Sequence, residues 1–101
     1  MPEMTFTVRW PDGSVADCYS PSLVMHDHLL AGESYPLAEF VNRTNTALDL
    51  ASERVRAKYG FECTSARQQQ SEIALAASRF AAAPDARVEV LAMVPPLGVN
   101  P

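Results

Sequence analysis

Between Leu37 and Tyr59, the residues Leu37, Phe40, Val41, Thr44, Leu48, Ala51, Val55 and Tyr59 recur at steps of three and four. That period draws a single stripe along an α-helix of about 23 residues, and neither strand nor loop reproduces it. Ser34 is placed to cap the helix and Pro36 to sit in its first turn, where a missing N–H costs nothing. Gly60 stops it, and Phe61 just beyond is placed to fold back on the last turn. A long helix with one apolar stripe needs a second layer to cover it, so the rest of the chain is read for that layer.

The layer starts at the N-terminal side. Met4, Phe6, Val8 and Trp10 alternate with Thr5, Thr7 and Arg9, the mark of a half-buried strand. Pro11-Asp12-Gly13-Ser14 supplies a fixed φ and a residue free to take positive φ, which reads as a hairpin turn. Val15 to Tyr19 returns as a second strand, and Ser20-Pro21-Ser22 ends it. In residues 21–34, Leu23-Val24-Met25 and Leu29-Leu30 flank His26-Asp27-His28; the segment reads as an ordered loop or as a short extra strand within 23–30.

A second helix begins after Thr64 or Ser65, with Ser65 and Gln68 at capping-box spacing. Ala66, Gln69, Ile73, Ala76, Ala77 and Phe80 trace its inner face, and the short turn from the first helix makes the two antiparallel. Pro84-Asp85 breaks the pattern. Arg87 to Val94 is a final strand, with Val88, Val90, Ala92 and Val94 on one face and Leu91 and Met93 on the other. Apolar on both sides of its far half, it reads as central or covered. The sum is an α+β two-layer sandwich of order ββααβ: a β-hairpin, two antiparallel helices and a C-terminal strand of undetermined direction. Residues 1–94 form one domain, and 95–101 a Pro-rich tail.

Composition sets limits on what such a fold does. A chain of 101 residues with 48% hydrophobic and 20% charged residues is globular, with one modest core. Eight Lys and Arg against twelve Asp and Glu leave a charge of -4, which argues against a general nucleic-acid binder or a polybasic membrane adaptor. The longest apolar runs fall far short of the roughly 20 residues that span a bilayer. With no secretory pattern at the start, Cys18 and Cys63 read as reduced thiols of a cytoplasmic protein.

Few residues suggest chemistry. His26 and His28 would project to one side of an extended segment, but no second ligand pair has fixed spacing, so no metal is expected. Cys63, at the start of the second helix, lies where exposed amides favour thiolate, with His26 or His28 as the available bases; a small buried hydrophobe is the favoured reading. Arg54 and Lys58 stand one turn apart at the end of the first helix. They complement its dipole, and together offer a grip for an anion or an acidic partner. Trp10 reads as a core cap. No GxGxxG, P-loop, HExxH, GxSxG or paired-carboxylate motif occurs, and no cofactor site assembles.

Several ordered blocks carry more information than any single residue. Arg9-Trp10-Pro11-Asp12-Gly13, Cys18-Tyr19-Ser20-Pro21-Ser22, Tyr35-Pro36 and the run Ala51-Ser52-Glu53-Arg54-Val55-Arg56-Ala57-Lys58-Tyr59-Gly60-Phe61, followed by Cys63, resemble the small nitrogen-starvation response proteins of bacteria. Those are encoded in mycobacteria, cyanobacteria and others beside a nitrilase, a radical-SAM enzyme, an acetyltransferase and a flavoprotein. The resemblance implies a context of expression and gene neighbourhood; the small core, the absence of a catalytic motif, the two-sided apolar final strand and the charged end of the first helix favour, within it, an accessory or interaction protein without catalysis of its own, whose partner is a protein from the same gene neighbourhood or a second copy. It brings no catalytic residues. The alternative is a binder of small anionic ligands, or a small enzyme, using a patch formed by Cys18, Ser20, Ser22, Arg54, Lys58 and Cys63. His26-Asp27-His28 lies outside the resembling blocks.

Overall fold

Met4, Phe6 and Val8 are buried, while Thr5 and Arg9 between and beyond them are exposed, so the alternation of the first segment becomes a strand with one wet face. The structure is a computed structural model that describes residues 3–60, 64–83 and 85–95. In chain order it contains β1 (Met4–Arg9), β2 (Val15–Ser20), a 3-10 helix (Leu23–Asp27), β3 (Ser34–Pro36), α1 (Leu37–Tyr59), α2 (Thr64–Ser78) and β4 (Arg87–Val94). The strands make one antiparallel sheet of order β2-β1-β4-β3. This is the α+β sandwich that the patterning implies, with the last strand antiparallel and central.

The β1–β2 turn follows from its residues. The Gly13 amide donates to the Trp10 carbonyl and the Trp10 amide to the Ser14 carbonyl, both at 2.8 Å, closing a three-residue loop with Gly13 at φ +89°. Asp12 accepts from the Ser14 hydroxyl and amide, which holds its carboxyl below the usual carboxylate range.

α1 runs its full 23 residues and ends at Gly60, whose φ of +78° is left-handed and whose amide donates to the Arg56 carbonyl at 2.8 Å. Phe61 lies outside the described residues. Leu37, Phe40, Leu48, Ala51 and Val55 are buried as the stripe requires, and the Thr44 hydroxyl turns back to the Phe40 carbonyl, satisfying itself inside the core. Tyr59, at the end of the stripe, is 49% exposed. The helix starts at Leu37, where the stripe begins, but its cap is not the one the sequence suggests. Ser34 and Pro36 belong to β3, and Pro36 rather than Ser34 is the N-cap, because the chain stays extended until it has paired with Arg87 to Glu89. Thr64 and Ser65 likewise lie inside α2 rather than before it.

α2 runs antiparallel to α1. Arg67 meets Asp49 at 2.7 Å, and Gln70 reaches the Asn45 carbonyl further back along α1. Its inner residues Ala66, Gln69 and Ile73 are buried, and Phe80 beyond its end stacks on Trp10 at 6.3 Å. Trp10 also meets Phe40 edge-on at 5.6 Å, so one indole joins both helices to the sheet. Such ring pairs contribute about 0.5–1.5 kcal/mol each beyond their burial.

Two expectations are corrected. The extra strand exists as β3 at Ser34–Pro36, whereas 23–30 holds the 3-10 helix, with Val24, Met25 and Leu29 packed inward. In β4 the faces change partner halfway. Thr7 pairs with Ala92 but its neighbour Val8 with Val90, leaving Leu91 as a bulge residue. The bulge turns Met93 into the core beside Val88 and Val90, and turns Ala92 and Val94 out to the open face.

Candidate functional site

The chain turns sharply after β2, and its hydroxyls organise the turn. Ser20 and Ser22 are buried; the Ser20 hydroxyl donates to the Ser22 carbonyl at 2.7 Å. Ser22 is the N-cap of the 3-10 helix, its Oγ accepting from the Val24 amide at 3.3 Å. Arg54, exposed on α1, donates from Nη1 to the same Oγ at 3.2 Å. Three of the residues grouped from sequence therefore meet. The two hydroxyls are engaged with the backbone of the turn and with Arg54, whose guanidinium is otherwise exposed.

Cys18 is two residues from Ser20 on the same face of β2 and points into the core, 3% exposed. It is a free thiol. Burial, reinforced by the Glu72 and Asp17 carboxylates, pushes its pKa up to about 12, so it holds its proton at neutral pH. Lys58 is exposed one turn beyond Arg54, with its ammonium 5.6 Å from the Tyr59 ring centre. Cys63 lies outside the described residues.

The segment that carries the two histidines is not extended: His26 is in the 3-10 helix and His28 is its C-cap, and both border one surface concavity with Tyr35 and Arg43. His26 Nε2 donates to the Pro95 carbonyl at 2.8 Å, tying the helix to the end of β4. Among the described residues no three His, Cys, Asp or Glu side chains gather closely enough to hold a metal ion.

The family described as nitrogen starvation-induced protein NitG matches residues 5–93. The chain belongs to that family. No curated protein and no solved structure matches it.

In this NitG chain two polar residues matter that the sequence did not single out. Arg43 donates from Nη1 to the His28 carbonyl at 2.8 Å, lies 4.8 Å over the Tyr35 ring, and has a buried Nε with no hydrogen-bond partner. Its position three residues after Phe40 placed it next to the stripe, which is the signal that could have found it. Gln69 presents its side-chain carbonyl to the Tyr19 amide at 2.9 Å, standing in for the neighbour that the edge strand β2 lacks. Among the described residues no helix is long and apolar enough to cross a membrane.

Proposed function

We propose that this NitG-family protein acts during nitrogen starvation as a cytoplasmic accessory protein that binds a protein partner from its own gene neighbourhood, or a second copy of itself, without catalysis of its own. The family carries the nitrogen-starvation context. What supports the non-catalytic part is the state of the described groups of the resembling blocks: Cys18 is buried and protonated, the Ser20 and Ser22 hydroxyls are engaged in one turn, and Arg54 donates to Ser22. A nucleophile needs a thiolate or an activated hydroxyl open to substrate, and this arrangement supplies neither at those positions. Tagged protein recovered from nitrogen-starved cells is expected to bring down a product of an adjacent gene, or to run as a dimer by light scattering. A monomer that recovers neither overturns the reading.

A further inference from the structure

β2 is an edge strand, and α2 lies beside it without closing the space between them. Glu72 is in the walls of three adjoining concavities of about 220, 80 and 230 Å³; Gln69 joins the first to the second, and Trp10 and Ala16 join the second to the third, so together they form one groove along the β2–α2 seam. Its two ends differ chemically. At the Trp10 end, Ala16, Ala76 and Phe80 make an apolar floor, and Leu75 stands on the rim 68% exposed, the highest value among the exposed large hydrophobic residues described. Toward the Tyr19 end the acidic side chain of the groove is Glu72; Asp17 borders it from the edge of β2, with its carboxylate accepting from the Thr7 hydroxyl at 2.7 Å on the open face of the sheet. Arg79 is the cation of the apolar end, beside Asp12.

The backbone adds direction. The Tyr19 amide points out of the sheet to Gln69, and by the two-residue period of a strand the Asp17 amide and carbonyl point the same way. An extended occupant has the complementary groups, and strand addition at an edge is a common way to hold a peptide.

We propose that the β2–α2 groove docks an extended peptide segment of a partner protein, with an apolar side chain seated against Trp10, Leu75 and Phe80 and a Lys or Arg facing Glu72. This rests on the interaction reading above and names its surface and the chemistry of the partner. An acidic rim beside an apolar floor selects for basic-apolar sequence and disfavours an acidic segment by like-charge repulsion.

The test uses the full chain and a fluorescein-labelled peptide of alternating Leu and Lys, with a Leu/Glu peptide as control, read by fluorescence anisotropy. The Leu/Lys peptide is expected to bind saturably and more weakly as salt rises, and the Leu/Glu peptide to bind at least about tenfold more weakly. Glu72→Lys and Leu75→Ser, both on exposed positions, are expected to weaken it about tenfold each, while Asp85→Lys, the same charge change off the groove, leaves it unchanged. No saturable binding, or equal binding by the Glu72 and Leu75 variants, overturns the groove. Partner capture from starved cells is scored separately: capture that survives both groove variants sinks the groove alone, whereas peptide binding without any captured partner or dimer sinks the broader reading and leaves the groove standing.

Discussion

Arg54 Nη1 lies 3.2 Å from the Ser22 Oγ, so the far third of α1 is hydrogen-bonded to the residue that opens the 3-10 helix. The hydroxyl is the hub of this contact, because it also accepts the Val24 amide, which would otherwise be an unpaired donor in a buried turn. Ser22→Ala is expected to lower stability by about 1–2 kcal/mol, the usual cost of losing a buried cap. Arg54→Ala removes only an exposed partner and is expected to cost about 0.5 kcal/mol. Urea unfolding of the two single variants and the double variant checks the ranking; an arginine variant as damaging as the serine variant would place the stabilisation in the guanidinium instead.

Cys18 makes a prediction at alkaline pH. Its folded pKa, about 12, is above the 9.0 of a solvent-exposed thiol, so its burial stabilises the fold fully below pH 9 and that contribution fades as pH rises from 9 toward 12. The native chain is therefore expected to leave Cys18 unlabelled by iodoacetamide at pH 8 and to label it once unfolded, as read by mass of the peptide containing it. The loss of melting temperature between pH 9 and 11 is expected to shrink in Cys18→Ala. Rapid native labelling at pH 8 would contradict the burial.

Much of this architecture was readable from the chain because strong periods leave little choice. The α1 stripe, the Gly60 stop and the β1 alternation each follow from spacing alone. The 3-10 helix had no such period: Leu23 to Leu30 is too short and too mixed for one, and its burial is set by packing against α1 that only the fold brings together. β3 is three residues long, with a proline at its end that reads as a helix start. The β4 faces were misread since alternation assumes a regular ladder, and a bulge reverses it without any mark in composition. In the candidate patch, Ser20, Ser22 and Arg54 were grouped through the resembling blocks, while Arg43 beside one helix stripe and Gln69 on the other have roles set by partners elsewhere in the chain, His28 and Tyr19.

On the acid side the fold depends on Asp49. Hydrogen bonds from Gln70 and then Arg67 hold its carboxyl below the 3.8 of a free aspartate, so it stabilises the helix pair above that value and the gain is lost as pH falls through the lowered pKa. The pair is largely exposed, which limits the contribution to about 0.5 kcal/mol. Between pH 5 and pH 2.5 the urea midpoint of Asp49→Asn is expected to fall less than that of the parent chain. An identical acid profile would remove Asp49 from the account.

Gly60 carries a conformational demand. At φ +78° a Cβ meets no neighbouring atom, so the cost of a side chain there is backbone strain alone. Gly60→Ala is expected to cost about 1–2 kcal/mol and Gly60→Asn less, since Asn tolerates the left-handed region. Thermal unfolding followed by helical circular dichroism gives the order; equal losses would mean that packing, not φ, decides the position.

The bulge in β4 yields an uneven response to shortening the strand. Leu91 has no partner in β1, while Val90 on one side faces Val8 and Ala92 on the other faces Thr7. Deleting Leu91 removes one half-buried side chain and leaves a regular ladder in which Val88, Val90 and Met93 still face the core, so the expected loss is under about 2 kcal/mol. Deleting Glu89 instead shifts the residues before it by one, and a one-residue shift in a strand exchanges faces. Val88, fully buried and paired with Tyr35, would then face solvent with an expected loss above about 3 kcal/mol. Urea unfolding of the two deletions separates these cases: if both lose the same stability, the register of β4 is not what orients its core residues.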